Sequence, residues 1–273
     1  MNAENIKQVA TQAINQLAEA LSAGHSEALT RYLSAIAKFR NYSTFNLLLI
    51  LKQCPDASRV AGYRAWQSLG RQVKKGEKGI MIFAPVLRKR TKATTEPDKT
   101  DESRTVATYR PVYVWDEQQT AGEDLPEIGR VTGDPSVYLE RLETFVRANG
   151  TTLDYSADIA PAKGLAEKGK ITLLPGQSPA ETFSVLVHEL AHLTLHKSAR
   201  RAETTKRIRE TEAEAVAFVV CQAIGLETGS ASADYVALYG GDAKVLMESL
   251  HHIQQAATRI LDAIEPSSQE RVA

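Results

Sequence analysis

At residues 185–193 the sequence reads Val185-Leu186-Val187-His188-Glu189-Leu190-Ala191-His192-Leu193. The run contains the pattern H-E-x-x-H inside an apolar segment. Residues four apart lie on one face of an α-helix, so His188 and His192 can direct two imidazoles at one metal ion. Glu189 directly follows His188 and is close enough to activate a water at that ion. The pattern is typical of a zinc hydrolase in which Glu189 acts as the general base.

Features around the motif favour a helix. A five-residue pattern with three fixed letters also occurs by chance, so the motif alone does not decide the function. Ser178-Pro179-Ala180-Glu181 has the form of a capping box with proline at the first helical position. The apolar side chains that follow are spaced for one buried helix face: Phe183, Leu186, Val187, Leu190 and Leu193. Two histidines and a glutamate in so apolar a helix are costly to bury unless a metal binds there.

A zinc centre needs a third protein ligand, and a second helix downstream offers one. Residues 209–221 have a helical pattern that ends near Gly225. We assign Glu210 as the third ligand and Glu214, one turn on, as an acceptor for a ligand imidazole N–H. Glu212 points elsewhere on the helix and is predicted to be solvated. A charged helix face is the alternative for all three glutamates, and the choice between Glu210 and Glu214 stays open at this point.

Three other residues bear on the chemistry of this centre. Tyr155 and Tyr235 are candidates for stabilising an oxyanion. His196 lies one turn beyond His192, and we expect it to interact with the C-terminal dipole of the helix.

The composition excludes several classes of protein. The 273 residues include 33 basic and 33 acidic side chains, so the net charge identifies no partner. The longest apolar run, Leu47–Leu51, is far too short to span a membrane. The N-terminus lacks the basic and apolar regions of a signal peptide. The two cysteines, Cys54 and Cys221, are interpreted as buried free thiols. The sequence therefore predicts a cytoplasmic protein without a membrane partner.

The chain has the pattern of two α+β domains. Helical periodicity occupies residues 4–22, 26–40 and 44–52, and a predicted hairpin follows, with strands at 80–86 and 105–115 around a loose loop at 91–103. Glycines and prolines without periodicity mark a linker at 126–133. We therefore predict a first domain over residues 1–125 and a second over 134–265, followed by a frayed tail at 266–273.

The second domain reads as a helix at 134–148, short strands at 151–155 and 170–174, and further helices at 235–239 and 242–264. The strand at 170–174 lies just before the metal helix, and we interpret it as an edge on which an extended peptide could pair.

Residues 62–80 interleave basic side chains, aromatics and glycines, with Glu77 as the only opposing charge. Basic side chains neutralise phosphates and aromatic faces stack on unpaired bases, so this composition favours a surface for single-stranded DNA. The candidate contacts are Tyr63, Trp66, Arg71, Lys74, Lys75, Lys78 and, outside the run, Arg40. The alternative is an ordinary basic hairpin with Tyr63 and Trp66 in the core. Of the two aromatics, we expect Tyr63 to be the better stacking candidate and Trp66 the more buried.

Several segments resemble the ArdC antirestriction family. They are Asn41-Tyr42-Ser43, Asn46–Ile50, Gly62-Tyr63-Arg64-Ala65-Trp66, Gly70–Ile80, Ala84-Pro85, Pro111–Asp116, Gln119-Thr120 and Leu125-Pro126, with the His188 motif and Glu210–Glu214 in the C-terminal half. The resemblance implies an N-terminal domain that binds single-stranded DNA and a metallopeptidase domain related to the ImmA/IrrE and SprT-like zincins. In zincins of this glutamate type a small residue three on and a polar residue four on commonly follow the third ligand, as Ala213 and Glu214 follow Glu210.

The resemblance further implies a plasmid- or mobile-element-associated protein that shields incoming single strands from restriction. We therefore predict a zinc metallopeptidase of the gluzincin type that binds single-stranded DNA, with Mn2+ or Co2+ as substitutes for Zn2+. Its protein substrate would be a restriction enzyme or a regulator. Two alternatives stay open: a DNA-coating protein whose zinc is not catalytic, and a protease that cleaves a transcriptional regulator and uses the basic domain for recruitment.

Overall fold

A computed structural model of the chain describes residues 3–23, 26–89, 104–123, 135–226 and 242–265. The predicted loop at 91–103, the linker at 126–133, the helix at 235–239 and the tail at 266–273 lie outside these ranges. The chain divides into a first unit of residues 1–13 and 45–125 and a second unit of residues 14–44 and 126–273. Helix α1 (Ala3–Ser22) contributes residues to both units.

The described residues of the first unit form two small antiparallel sheets and two α-helices besides the first part of α1. Its elements are α3 (Thr44–Gln53, of which Thr44 groups with the second unit), β1 (Val60–Gly62), α4 (Tyr63–Ser68), β2 (Arg71–Val73), β3 (Ile80–Lys89), β4 (Arg104–Asp116) and β5 (Thr120–Gly122). Strand β4 is central in a sheet of order β1-β4-β3, and β2 pairs with β5. The predicted hairpin is confirmed, because β3 and β4 pair along their length with one bulge at Val86/Leu87.

Two amide side chains of α3 complete the outer edge of β3. The Asn46 side chain donates to the Phe83 carbonyl at 2.9 Å and accepts from the Phe83 amide at 3.0 Å. Gln53 makes the same pair of bonds with Met81, both at 2.9 Å. An edge strand presents unpaired backbone groups that favour association with other strands, and these side chains satisfy part of that edge.

The second unit contains α2 (Ser26–Phe39), α5 (Ser136–Ala148), β6 (Thr152–Tyr155), β7 (Gly164–Glu167), β8 (Lys170–Leu173), α6 (Pro179–Leu195), α7 (Ser198–Glu203), α8 (Lys206–Ala223) and α9 (Ala243–Ile264). Its sheet has the order β6-β8-β7, with β6 parallel and β7 antiparallel to β8. The prediction of an edge strand at 170–174 is wrong, because β8 is paired on both sides. The strand beside α6 is β7, which the sequence analysis did not predict.

Helix α6 begins where the sequence predicts it. The Ser178 hydroxyl accepts from the Glu181 amide at 3.3 Å, and the Glu181 carboxylate accepts from the Ser178 amide at 3.1 Å. This reciprocal capping box satisfies two backbone donors that a helix start leaves unpaired. The buried face of α6 packs against α8, and α9 and α5 pack on the same helices.

Helix α2 groups with the second unit, whereas the sequence placed it in the first domain. Its apolar face, with Leu33 and Ile36 fully buried, packs against α8. Just beyond it, Arg40 pairs with Glu265 and lies 3.5 Å from Asp262. The Gln254 side chain accepts from the Thr44 hydroxyl at 2.6 Å. Chain order alone could not show this, because the partner surfaces lie about 200 residues downstream in the sequence.

Among the helices described here, none combines the length and the apolar character needed to cross a membrane.

Leu33→Ala should destabilise the second unit, because it removes a fully buried side chain from the helix that packs on α8. We expect the free energy of unfolding to fall by about 2–5 kcal/mol and the backbone amides of α8 to exchange hydrogen faster. Arg31→Ala, at an exposed position of the same helix, is the matched control and should change stability by less than about 0.5 kcal/mol. Unchanged exchange in α8 for Leu33→Ala would contradict this packing.

Candidate metal centre and nucleic-acid interface

Helix α6 directs two imidazoles at one point. His188 and His192 are one turn apart, and their Nε2 atoms lie 3.1 Å from each other. Both rings are partly buried, with 23% and 18% of the side chains exposed. Two ring nitrogens this close, each with a lone pair available in the neutral form, are a donor arrangement suited to a shared cation.

Helix α8 adds a carboxylate to the pair. Glu210 Oε2 lies 3.6 Å from His188 Nε2 and 3.4 Å from His192 Nε2. Ligand atoms around a tetrahedral ion with bonds of about 2.0–2.2 Å lie roughly 3.4 Å apart, so the triangle fits a divalent ion. Among the described residues, His188, His192 and Glu210 are the group of ionisable side chains whose ligand atoms come within 4.8 Å of one another.

Glu214 lies behind His188. Its Oε2 atom is 3.4 Å from His188 Nδ1, the ring nitrogen that does not face Glu210. This hydrogen bond lowers the pKa of Glu214. Burial acts to lower the pKa of His188, but the bond to Glu214 and the charges of Glu189, Glu214 and Glu210 outweigh it and raise that pKa. The two carboxylates are thus divided between the two sides of the ring, which favours Glu210 as the ligand and Glu214 as its support.

His192 has the opposite titration behaviour. Burial and the neighbouring charge of His188 lower the pKa of His192 to about 4. An imidazole ligates in its neutral form, so this ring needs no deprotonation near neutral pH.

Glu189 lies between α6 and β7. Burial raises its pKa, and the negative charge of Glu210 adds to this. The Ala166 amide of β7 donates a hydrogen bond to the Glu189 carboxylate, so this amide points away from β8. Gly164 is required beside it, because a Cβ there would lie 2.8 Å from Glu189 Oε1 and 2.6 Å from Val185 Cγ1. The carboxylate is therefore held against the free side of an edge strand, with a pKa displaced towards that of a useful base.

The prediction that Glu212 is solvated is wrong, and so is the predicted role of His196. Glu212 is 0% exposed and His196 is buried. His196 Nε2 lies 3.0 Å from Glu212 Oε2, His196 Nδ1 lies 3.1 Å from His192 Nδ1, and Arg200 donates to the other Glu212 oxygen. The sequence does contain a signal for this burial, since Glu212 shares helical spacing with the buried Val216 and Val219.

Tyr155 is committed elsewhere in the second unit. Its hydroxyl donates to Glu143 at 2.8 Å, and burial together with this bond raises its pKa to about 12. Tyr235, the other oxyanion candidate, lies outside the described residues.

In the first unit, the aromatic residues of the predicted DNA surface differ in exposure. Trp66 is 1% exposed, and its indole N–H donates to the Trp115 carbonyl at 2.9 Å. Tyr63 is 44% exposed, and its ring lies edge-on to Trp115 with the centroids 5.9 Å apart. Trp66 is therefore a core residue, and Tyr63 is the one available for stacking, as the sequence predicts.

Strand β4 carries a row of aromatic side chains that the sequence analysis did not assign as DNA contacts. Tyr109 is 61% exposed, Tyr113 is 55% exposed and Trp115 is partly exposed, whereas Val114 between them is buried. Alternate residues of a strand share a face and lie about 6.7 Å apart, so these rings share one side of the sheet. Gly79 permits the arrangement, because a Cβ there would lie 2.9 Å from both Trp115 Cζ2 and Tyr113 Cβ.

The three predicted lysine contacts lie in a loop that is hydrogen-bonded to Gln119, just after the end of β4. Lys74, Lys75 and Lys78 are all exposed. The Lys74 amide donates to the Gln119 carbonyl at 2.9 Å, and the Gln119 side chain donates to the Lys78 carbonyl at 2.9 Å and to Glu77 at 3.0 Å. Gln119 in turn forms a capping box with Asp116. The basic loop thus has a defined position beside the aromatic strand.

Three of the basic side chains predicted to contact DNA have partners within the protein. The Lys74 ammonium donates to the Gln118 carbonyl at 2.8 Å. Arg71 is buried, and its guanidinium donates to the Thr120 hydroxyl at 2.9 Å and to the Glu123 carbonyl, so it joins β2 to β5. Arg40 belongs to the second unit and is paired with Glu265 and Asp262. A basic residue type is not evidence of a phosphate contact when buried acceptors surround it.

Residues 3–115 match the family model of the N-terminal domain of anti-restriction factor ArdC. This part of the chain is similar to the ArdC N-terminal domain, which confirms the resemblance predicted for the N-terminal half. The predicted resemblance of the C-terminal half to a metallopeptidase domain stays a prediction. The matched residues contain the aromatic row and the lysine loop described above.

Comparisons over the longer chain agree with this assignment. An uncharacterized protein of Bacillus anthracis is 25% identical over 278 aligned positions, which cover 86% of this chain and 47% of the relative. The chain thus spans about half the length of the curated relative it matches. Two crystal structures of the antirestriction ArdC protein from the R388 plasmid, one metal-free and one Mn(II)-bound, match with a TM-score of 0.55. They are 20% and 18% identical to this chain, and each match covers 93% of it and 97% of the R388 chain, which shows a shared ArdC-like fold of helices and strands.

Glu210→Ala and Glu214→Ala should separate ligand from support. We expect wild type to bind about one equivalent of Zn2+ or Mn2+, and Glu210→Ala to lose the ion, because it removes one of three donors. Glu214→Ala should keep the ion with about 10–100-fold weaker affinity, since it affects only the orientation of His188. Isothermal titration with each ion measures both.

Glu203→Ala, which changes an exposed glutamate on α7, is the control and should bind as wild type does. Loss of the ion in Glu214→Ala together with retention in Glu210→Ala would reverse the assignment.

Proposed function

We propose that the chain is an ArdC-type antirestriction protein that binds single-stranded DNA through its first unit and acts as a metal-dependent peptidase through its second. The observation that carries the peptidase part is the triangle of His188 Nε2, His192 Nε2 and Glu210 Oε2, with separations of 3.1–3.6 Å, beside a buried glutamate. The Mn(II)-bound form of the R388 ArdC protein supports metal binding in this fold. DNA protection by the whole protein belongs to the same proposal and is supported by the match of residues 3–115 to the ArdC N-terminal domain.

The donor set suits Zn2+ or Mn2+, because two neutral imidazoles and one carboxylate leave a coordination position open for catalysis. When bound, such an ion supplies Lewis acidity that polarises a carbonyl oxygen and makes water more acidic. Glu189 takes the proton of the attacking water on its carboxylate and delivers it to the leaving amine. Its raised pKa favours uptake of the proton, which the first of these steps requires.

Strand β7 offers a place for the substrate. It is the edge of the sheet on the side of α6, and its Ala166 amide faces Glu189 rather than β8. An extended peptide that pairs with the free side of β7 would lay a backbone carbonyl beside Glu189. This position for the substrate strand replaces the predicted one at 170–174.

The DNA-binding part is supported by the arrangement of the first unit. Exposed tyrosines at 63, 109 and 113 offer faces to unpaired bases, and Lys74, Lys75 and Lys78 offer charges to phosphates. Single strands have bases free to stack, whereas duplex bases are already stacked. We therefore expect single strands to bind more tightly than duplex DNA.

Glu189→Gln should abolish peptide hydrolysis and keep the metal, because Glu189 is not one of the three donors. We expect cleavage of unfolded casein by the zinc- or manganese-loaded protein to fall by at least about 100-fold, the usual contribution of general base catalysis. Gly164→Ala should also lower the rate, since its Cβ displaces Glu189. Metal content measured on the same samples is the control. If metal-loaded wild type cleaves nothing, the peptidase proposal fails and the DNA-coating alternative with a structural ion is favoured.

Measuring DNA affinity at several salt concentrations should distinguish phosphate contacts from base stacking. Lys75→Ala and Lys78→Ala should each reduce the slope of log affinity against log salt by about 0.7. Tyr109→Ala and Tyr113→Ala should each cost about 1–3 kcal/mol of binding and leave the slope unchanged.

Tyr155→Ala, an exposed tyrosine of the second unit, is the matched control and should not affect binding. A thermal melt of each variant tests whether the fold is retained. Wild-type binding by both tyrosine variants would exclude the aromatic row as the DNA surface.

A further inference from the structure

Buried hydrogen bonds beside α6 and α8 fix proton positions that the geometry of the metal triangle alone does not determine. Glu212 accepts from Arg200 with one carboxylate oxygen, and its other oxygen lies 3.0 Å from His196 Nε2. An ionised carboxylate has no proton to donate, so His196 must carry its proton on Nε2.

The position of this proton determines which nitrogen of the neighbouring His192 ring carries a proton. With its proton on Nε2, a neutral His196 has a lone pair on Nδ1, which lies 3.1 Å from His192 Nδ1. His192 must then donate from Nδ1, because two lone pairs cannot face each other at this distance. The remaining nitrogen of His192 is Nε2, the atom that faces His188 and Glu210. This pattern belongs to the neutral form of His196, since a second proton on its Nδ1 would reverse the bond to His192.

We propose that His196 and Glu212 are positioning residues that hold His192 in the tautomer and orientation in which its Nε2 lone pair points to the metal site. The proposal rests on the proposed metal centre and deepens it. His196 acts through His192 and touches no substrate. The hydrogen-bond chain runs from a ligand, through His196, to a carboxylate held by Arg200 of α7 and by Ser249 of α9.

The two histidine ligands are therefore supported differently. His188 is backed by Glu214, whose side chain is 54% exposed, whereas His192 is backed by His196 and Glu212, whose side chains are 0% exposed. An exposed hydrogen bond competes with water, and a buried one does not. The orientation of His192 is thus set by the interior of the second unit before any ion arrives, which lowers the cost of organising the site.

Two substitutions of His196 separate positioning from packing. In His196→Gln, the amide N–H can reach the place of Nε2 and still donate to Glu212, but no acceptor remains at the place of Nδ1. In His196→Asn, the amide oxygen can take the place of Nδ1 and accept from His192, but the donor to Glu212 is lost. The measurements are isothermal titration with Zn2+ alone and with Mn2+ alone, and thermal melts of the metal-free proteins.

We expect His196→Gln to bind either ion about 10–100-fold more weakly than wild type, with a melt close to that of wild type. We expect His196→Asn to keep most of the affinity and to melt earlier, because Glu212 loses a buried donor. Wild-type affinity in His196→Gln, or an equal loss in both variants, would overturn the proposal. If wild type itself binds neither ion, the metal centre fails and this inference fails with it, which is a different outcome from failure of the variants alone.

A measurement on wild type keeps the proposal testable if a variant does not fold. Long-range proton–nitrogen correlation spectra of the zinc-loaded protein report which ring nitrogen carries each proton. We expect the His192 proton on Nδ1 and the His196 proton on Nε2. A His196 proton on Nδ1 would overturn the proposal.

Discussion

The second unit depends on the burial of ionisable side chains between two apolar helices. Helices α6 and α8 bring five ionisable side chains together next to apolar ones such as Phe183 and Val216. Glu189, His196 and Glu212 are buried, and His188 and His192 are partly buried. A buried polar group without a partner costs free energy of folding, so each of these groups must be hydrogen-bonded or neutral. The surrounding elements supply the partners: Ala166 of β7 for Glu189, Arg200 of α7 and Ser249 of α9 for Glu212.

This requirement explains why the charges at the centre are unequal. Burial holds His192 neutral and raises the pKa of Glu189, while Arg200, His196 and Ser249 keep Glu212 ionised against the same effect of burial. One buried glutamate therefore serves as a fixed acceptor, and the other is left poised to take up a proton. The two differ because Arg200 contacts Glu212, whereas at Glu189 burial and the charge of Glu210 outweigh the charge of His188 and the hydrogen bond from the Ala166 amide.

In the first unit the constraint is different, because its sheets are small and their edges must be satisfied locally. Asn46 and Gln53 complete the edge of β3, and Asp116 with Gln119 fastens the lysine loop. These four side chains form hydrogen bonds with backbone groups. The tyrosines of β4 and the lysines of the loop are not needed for this and are exposed. The exposed face is thus available for binding, and the position of its loop is defined.

The sequence by itself determined the long helices, the β3–β4 hairpin, the resemblance of the N-terminal half to ArdC and the pairing of His188 with His192, because helical spacing, capping and hydrophobic periodicity are local properties. Only the tertiary structure decided what each charged side chain does. Glu210, Glu212 and Glu214 lie within five residues of one helix, yet one faces the two imidazole Nε2 atoms, one is buried against His196, and one supports His188. Arg71 and Arg40 are basic and were therefore predicted to contact DNA, but both side chains are paired with acceptors from distant parts of the chain. The sequence likewise did not predict that α2 groups with the second unit. In each case the deciding partner comes from a separate part of the chain, and local pattern carries no information about which distant surfaces meet.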